Sequence, residues 1–166
     1  PSEYPKVSPQ MKLLTTGNGK VRFNPNLYNC GKVCLSLLGT WAGEPWNPEI
    51  SNLTQLFISI LAMIFVDDPY FNEPGYQTTR GTEEGDKKSK EYNTVIRYNT
   101  LHYAVYEPLC KPKKDNVFND IIYNHFKLVW EKAKDEYQKW IDEETNVVHK
   151  EEMKKWIFEI KKVLQK

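Results

Sequence analysis

The sequence predicts a domain of the α+β class followed by a helical extension, because strand-like, turn-rich segments come first and only helical segments follow. At 166 residues, the chain is long enough to enclose one hydrophobic core and to carry an appendage. Its formal net charge of +1 argues against nucleic acid as a partner, since a bulk polyanion is usually bound by a strongly basic protein.

The first part of the chain has the composition of extended segments and turns. Three prolines in residues 1–9 favour an extended start over a helix. The segment MKLLTTG, residues 11–17, predicts a strand, and the Gly-Asn-Gly run at 17–19 turns the chain into a second short strand at 21–23. These segments supply the β part of the predicted fold.

The first predicted helix covers residues 52–66, where apolar residues recur at helical spacing. Ser51 or Asn52 is the expected N-cap, because either side chain can accept a hydrogen bond from the first turn. The longest apolar run, at 56–66, has 11 residues, whereas a membrane span needs about 20. We therefore expect a core helix and no membrane partner.

A polar segment of unusual length follows this helix. Residues 67–88 contain three glycines and two prolines, and they predict a long loop of the kind that is usually functional or mobile. A second helix is predicted with Ser89 as its cap, and Pro108 and Pro112 are expected to end it.

Two further helices are predicted in the C-terminal part. The first covers residues 116–141, and the second has Thr145 or Asn146 as its expected cap. The apolar positions expected to share one face of this last helix are Met153, Trp156, Ile157, Ile160 and Leu164.

The three cysteines form an odd number without the spacing of a disulfide framework, so we expect a reducing compartment, the cytoplasm and also the nucleus. Cys34 lies between Val33 and Leu35, and the simplest interpretation is a small buried core residue. Cys30 lies in a polar turn and is expected to be exposed. On composition alone, Cys30 is therefore the better candidate for a reactive thiol.

Two other roles for these thiols have weak support in the sequence. A structural zinc site usually takes two close ligand pairs, but Cys110, His102, His125 and His149 lie far from the C-x3-C pair and from one another. A Cys-His hydrolase needs a histidine base, and no motif ties any of the three histidines to Cys34. No metal and no cofactor is therefore predicted.

The stretch FNPNLYNCGKVCLSLL, residues 23–38, and the Trp-Asn-Pro at 46–48 resemble the signature of ubiquitin-conjugating (E2) enzymes. Members of that family carry a His-Pro-Asn turn, an active-site cysteine eight residues after its asparagine, and a tryptophan-x-proline further on. Here Asn-Pro-Asn stands at 24–26, and Cys34 lies eight residues after Asn26. The replaced histidine is a structural element of the turn in that family.

The likeness covers residues 1–107 and is closest to the large Z-type E2 enzymes, then to the E2 domains of the giant inhibitor-of-apoptosis hybrid and of the O-type enzymes. The shared segments are FNPN, TTGN, GTWxG and NEPG. The resemblance implies a UBC-like (E2) fold, with an antiparallel sheet packed by helices and a catalytic core over 1–107. We expect the family's N-terminal helix and first strands to be missing, and residues 108–166 to form a helical C-terminal extension.

The resemblance also implies a chemistry. Cys34 would accept ubiquitin or a ubiquitin-like protein as a thioester from an E1 activating enzyme, and would pass it to a lysine or to the cysteine of an E3 ligase. Asn26 would stabilise the oxyanion or support the loop beside it, and Glu73 would gate the attacking lysine. The alternative from another class is a non-catalytic E2-like interaction module, which keeps the groove and is not charged with the modifier.

Overall fold

Two hydrophobic cores form in this protein, and the boundary between the compact units that hold them falls between Asn93 and Thr94. The structure is a computed structural model that describes residues 3–165. The predicted division into a catalytic core at 1–107 and an extension at 108–166 stays a prediction.

The core of the N-terminal unit is built around α1, Leu53–Met63. Of the two predicted caps, Asn52 is the one used, since its side chain accepts a hydrogen bond of 2.9 Å from the Gln55 backbone N–H. Only a narrow face of the helix is buried, and it packs on the segment that precedes it in the chain. The buried residues of this core are Leu27, Val33, Leu35, Leu37, Leu56, Ile60 and Ile64.

Strand pairing in the N-terminal unit is sparse, and the strand predicted at 11–17 is wrong. Within residues 3–165, β pairing consists of isolated antiparallel bridges, which join Lys12 to Lys32, Asn24 to Leu27, and Leu27 to Val33. A bridge grows into a ladder only where consecutive residues of both segments stay paired, and turns interrupt these segments. The antiparallel pairing expected of the family is thus present only as single bridges in this part of the chain.

The segment predicted as a loop at 67–88 is largely structured, so that prediction is wrong. It contains two 3-10 helices, Pro69–Asn72 and Tyr76–Thr79, and the beginning of α2, Glu83–Asn99. The segment has few apolar residues, so hydrophobic periodicity gave no sign of these turns.

The start of α2 differs from the predicted start at Ser89, which is buried within the helix. The hydroxyl of Thr82 accepts a hydrogen bond of 3.1 Å from the Gly85 N–H, as an N-terminal cap does. Acidic residues in the first turn add a favourable interaction with the helix dipole, namely Glu83, Glu84 and Asp86. These two local effects explain why the helix is capped at Thr82, seven residues before the predicted cap at Ser89.

In the C-terminal unit, a π-helix at Thr100–Tyr106 leads into a short helix, α3, at Glu107–Cys110. The prediction that Pro108 ends the helix is wrong. Pro108 lies in the first turn of α3, directly after the π-helix, so the chain stays helical through it. The helix ends after Cys110, two residues before Pro112.

Two long helices complete the C-terminal unit: α4, Asn119–Glu143, and α5, Val147–Leu164. Both predicted helices are confirmed, and α5 is capped by Asn146, whose side chain accepts from the Val148 and His149 N–H groups at 3.0 and 3.2 Å. The predicted face positions of α5 that are buried are Met153, Trp156, Ile160 and Leu164. Within residues 3–165, none of the helices has both the length and the hydrophobicity that a membrane crossing requires.

Candidate active site

The Asn-Pro-Asn turn at 24–26 is held together by the side chain of its first residue. The Asn24 carboxamide oxygen accepts a hydrogen bond of 2.8 Å from the Asn26 backbone N–H, and its nitrogen donates to the Ile64 carbonyl oxygen at 2.8 Å. Asn24 is only 1% exposed, so these bonds are formed away from water. The turn is therefore fixed to the C-terminal end of α1.

Asn26 and Cys34 are joined by two hydrogen bonds, one in each direction. The Cys34 backbone N–H donates to the Asn26 carbonyl oxygen at 2.8 Å. The Asn26 side-chain Nδ2 donates to the Cys34 carbonyl oxygen at 2.9 Å. A carboxamide NH2 group has two hydrogens, so the second remains for another acceptor beside Cys34. The structure thus brings together two of the three predicted site residues.

The two neighbouring thiols differ sharply in exposure. Cys34 is 2% exposed, as a core residue would be, whereas Cys30 is exposed, as predicted for the polar turn. Gly31 lies between them with φ of +92°, and a Cβ added there would lie 2.7 Å from the Leu13 carbonyl oxygen. Only glycine fits this position without strain, so the turn that separates the two cysteines is fixed by sterics.

Glu73 lies directly after the 3-10 helix Pro69–Asn72 and is linked to the same turn through neighbours. The Asn72 side chain donates to the Asn24 carboxamide oxygen at 3.4 Å and to the Met63 carbonyl oxygen at 2.8 Å. Among the described residues, no hydrogen bond joins Glu73 itself to Asn26 or Cys34. The third predicted residue therefore belongs to the network around the turn without direct contact to the thiol-bearing residue.

Arg22 also belongs to this network, although no motif in the sequence predicted it. Its Nη2 donates to the Pro25 carbonyl oxygen at 2.5 Å and to Glu73 Oε2 at 3.3 Å. Its guanidinium group lies over the Tyr28 ring, 4.3 Å from the centroid. No local pattern in the sequence marks Arg22, because its partner Glu73 lies 51 residues further along the chain.

Tyr92 on α2 borders the same cluster, and its hydroxyl donates to the Arg22 carbonyl oxygen at 3.4 Å. Burial raises the pKa of Tyr92 to about 12, the Arg22 charge opposes this rise, and the Glu73 charge adds to it. The phenol therefore stays protonated at neutral pH and remains a hydrogen-bond donor.

The described residues do not form a metal site, and two of the three histidines pack against aromatic rings. Within residues 3–165, no group of three or more histidine, cysteine, aspartate or glutamate side chains is arranged to hold a metal ion. His102 stacks on Trp156 at 4.4 Å between ring centroids, and His149 stacks on Tyr98 at 4.0 Å. Both rings therefore serve as packing groups in the C-terminal unit.

Comparison with known proteins gives a consistent result. The family model described as ubiquitin-conjugating enzyme matches residues 1–100. A Caenorhabditis elegans protein named probable ubiquitin-conjugating enzyme protein 17 is 48% identical over 158 residues, which cover 93% of this chain and 21% of that protein. The human dual E2 ubiquitin-conjugating enzyme/E3 ubiquitin-protein ligase BIRC6 is 44% identical over 144 residues, or 85% of this chain and 3% of that protein.

The Xenopus tropicalis ubiquitin-conjugating enzyme E2 Z is 50% identical over 109 residues, which cover 66% of this chain and 33% of that protein. The chain thus spans a third or less of the length of each of these relatives. The family match nevertheless includes the whole network around Asn26, Cys34 and Glu73. The resemblance predicted from the signature is confirmed, and the chain belongs to the ubiquitin-conjugating enzyme family.

Proposed function

We propose that this chain is the catalytic part of an E2 enzyme that carries ubiquitin, or a ubiquitin-like protein, as a thioester on Cys34. The observation that carries the proposal is the reciprocal pair of hydrogen bonds between Asn26 and Cys34. This pair holds a carboxamide donor beside the residue whose thioester would react.

The first step is a thioester exchange with an E1 activating enzyme. The Cys34 thiolate attacks the carbonyl carbon of the modifier's C-terminal thioester, the new carbon–sulfur bond forms, and the E1 thiolate leaves. The proton released by Cys34 goes to the departing E1 thiolate, so no net charge changes. ATP is consumed earlier, in the reaction of the E1 enzyme, and the E2 chain itself needs no cofactor.

The second step transfers the modifier from Cys34 to a lysine amine or to the cysteine of an E3 ligase. Negative charge develops on the carbonyl oxygen as the nucleophile attacks, and the free N–H of the Asn26 carboxamide is the proposed donor to it. The lysine must first lose a proton, since its ordinary pKa is about 10.4. Glu73 is proposed to hold the ammonium group near the thioester until that proton passes to water. The amine nitrogen then bonds to the carbonyl carbon, the carbon–sulfur bond breaks, and a second proton of the amine goes to the departing Cys34 thiolate.

The burial of Cys34 supports a second candidate function. At 2% exposure, its sulfur must gain access to solvent before it can reach a thioester on another protein. A non-catalytic interaction module of the same fold would have a permanently buried cysteine. Charging of the thiol therefore separates the two functions.

The proposed partners are ubiquitin or a ubiquitin-like protein, an E1 enzyme and an E3 ligase. The proposed location is the cytoplasm and also the nucleus, because a free thiol at Cys34 persists in a reducing compartment.

The test is a charging assay on the full-length protein with E1 enzyme, ATP and ubiquitin, followed by a non-reducing gel. We expect a new band heavier by one ubiquitin, removed by dithiothreitol, absent in Cys34→Ala and present in Cys30→Ala. Cys30→Ala is the matched control, since it removes the exposed thiol four residues away. If no such band forms with ubiquitin or with a panel of ubiquitin-like proteins, the interaction module is the correct function.

A further inference from the structure

We propose that Arg22 is a positioning residue, which fixes one oxygen of Glu73 and leaves the other for the amine of the attacking lysine. This inference rests on the proposed function, because it concerns the transfer of the modifier from Cys34. Its basis is that a single nitrogen, Arg22 Nη2, donates both to Glu73 Oε2 and to the Pro25 carbonyl oxygen, at 3.3 and 2.5 Å. Nη2 has two hydrogens, one for each acceptor.

The guanidinium group of Arg22 is itself held in place. It lies 4.3 Å from the centroid of the Tyr28 ring, and the backbone carbonyl of Arg22 accepts a hydrogen bond from the Tyr92 hydroxyl at 3.4 Å. Stacking on an aromatic face restricts the rotation of the planar guanidinium group. A lysine ammonium group is not planar and would not be restricted in this way. Arg22 thus connects the Asn-Pro-Asn turn to Glu73 through a side chain whose position is restricted.

The backbone before Glu73 is fixed independently of Arg22. The Asn72 side chain donates to the Asn24 carboxamide oxygen and to the Met63 carbonyl oxygen. Removal of Arg22 should therefore leave the Glu73 backbone in place, while it frees the direction of the Glu73 carboxylate and leaves the Pro25 carbonyl oxygen without this donor. The effect expected is on orientation of the amine, and the Asn24 network is expected to persist.

The ion pair between Arg22 and Glu73 orients the Glu73 carboxylate and adds little to the free energy of unfolding. The side chains of Arg22 and Glu73 are 40% and 36% exposed, and pairs this accessible contribute little to folding. Oε2 is the oxygen that Arg22 contacts, and among the described residues Oε1 has no hydrogen-bond partner. A lysine ammonium can donate to Oε1 while Oε2 stays on Arg22, so the carboxylate accepts the amine in one orientation.

The test is the discharge of purified Cys34~ubiquitin thioester of the full-length protein to free lysine, measured against lysine concentration. Variants are Arg22→Ala, Glu73→Ala, the double variant, and Arg22→Lys. We expect Arg22→Ala to lower kcat/KM for lysine by about 3- to 10-fold, which is within the range of coupling between residues in contact. The change should appear mainly in KM, because the Glu73 carboxylate would bind the lysine less well. In the double variant, the loss should not exceed that of Glu73→Ala alone.

Arg80→Ala is the matched control. Arg80 also pairs with a carboxylate, Asp68 Oδ2 at 2.8 Å, and lies over an aromatic ring, that of Phe71 at 4.3 Å. We expect this variant to discharge at the wild-type rate. Arg22→Lys should recover part of the loss in kcat/KM, because it keeps the positive charge beside Glu73. The recovery should be incomplete, because lysine lacks the planar guanidinium group.

The outcomes separate this inference from the proposed function. If wild-type protein forms no thioester, the proposed function fails and the inference fails with it. If the thioester forms but Arg22→Ala lowers kcat/KM by the same factor in the wild-type protein and in the Glu73→Ala variant, Arg22 acts only through the Asn-Pro-Asn turn. The inference is then wrong. An Arg22→Ala enzyme that discharges like Arg80→Ala also overturns it.

Discussion

The side chain of Asn26 donates a hydrogen bond of 2.9 Å to the backbone carbonyl of Cys34, while the Cys34 N–H donates at 2.8 Å to the carbonyl of Asn26. Because the two residues hold each other from both sides, displacement of one changes the position of the other. The carboxamide is therefore both a support for the loop that carries the thiol and a donor placed beside it.

Replacement of Asn26 by alanine is expected to separate loading from transfer. Loss of a single oxyanion donor typically lowers a transfer rate by about 100- to 1000-fold, so the Cys34 thioester should form and then persist. The measurement is single-turnover discharge to lysine followed on non-reducing gels.

Asn29→Ala provides the control for Asn26→Ala. Asn29 also donates its side-chain nitrogen to a backbone carbonyl, that of Gly19 at 2.8 Å, but it is exposed and lies outside the turn. This variant should discharge at the wild-type rate. Equal discharge by the two variants would remove Asn26 from the mechanism.

Alkylation of the native protein should distinguish the three thiols by exposure. We expect maleimide to modify Cys30 first, Cys110 more slowly, and Cys34 slowest, because these residues are exposed, half-buried and buried. Burial also raises the pKa of Cys110 to about 11, which lowers its thiolate fraction. The measurement is a time course by peptide mass spectrometry, with a urea-unfolded sample in which all three should react alike. Labelling of Cys34 as fast as Cys30 in the native protein would show that the loop around Cys34 opens readily.

The helices that the sequence predicted well are those specified by local patterns. Asn52 and Asn146 each supply a side-chain oxygen to the first turn of an apolar, periodic segment, so cap and stripe coincide. The start of α2 was missed because its first turn is acidic and has no apolar stripe. There the cap at Thr82 and the helix dipole decide the boundary, and neither affects hydrophobic periodicity.

The same distinction holds for the site. The spacing of Asn26 and Cys34 lies within one short segment, so a family signature could identify the pair. Arg22 contacts Glu73 across 51 residues, and Asn72 contacts Asn24 across 48. Pairings of this kind depend on how α1 and the following 3-10 helix fold back on the turn, which no local pattern encodes.

The core of the C-terminal unit allows a direct test of burial. Ile160 is 0% exposed and Phe158, two residues before it on α5, is 59% exposed. Ile160→Ala should lower the free energy of unfolding by about 2–5 kcal/mol, because it leaves a cavity among packed side chains. Phe158→Ala should change it by less than about 0.5 kcal/mol. Urea unfolding followed by circular dichroism measures both, and similar losses in the two variants would contradict this placement of α5.

His102 should make the stability of the C-terminal unit depend on pH. Burial lowers the pKa of His102 below its ordinary value of 6.5, Glu107 at 3.6 Å opposes this shift, and Lys111 adds to it. The unfolded chain then binds more protons than the folded chain below pH 6.5. The contribution of neutral His102 is thus fully present above that pH and is lost as the pH falls toward the folded pKa.

The free energy of unfolding should therefore decrease on acidification from pH 7 to pH 5.5, and His102→Gln should reduce that slope, because glutamine does not titrate. His125→Gln is the control, since His125 is an exposed residue of α4. The measurement is the free energy of unfolding in urea at each pH. Both variants keep the same carboxylates, so the difference between the two slopes does not contain their titration. A slope that is the same in His102→Gln and His125→Gln would mean that the His102 ring is protonated equally in the folded and unfolded chains.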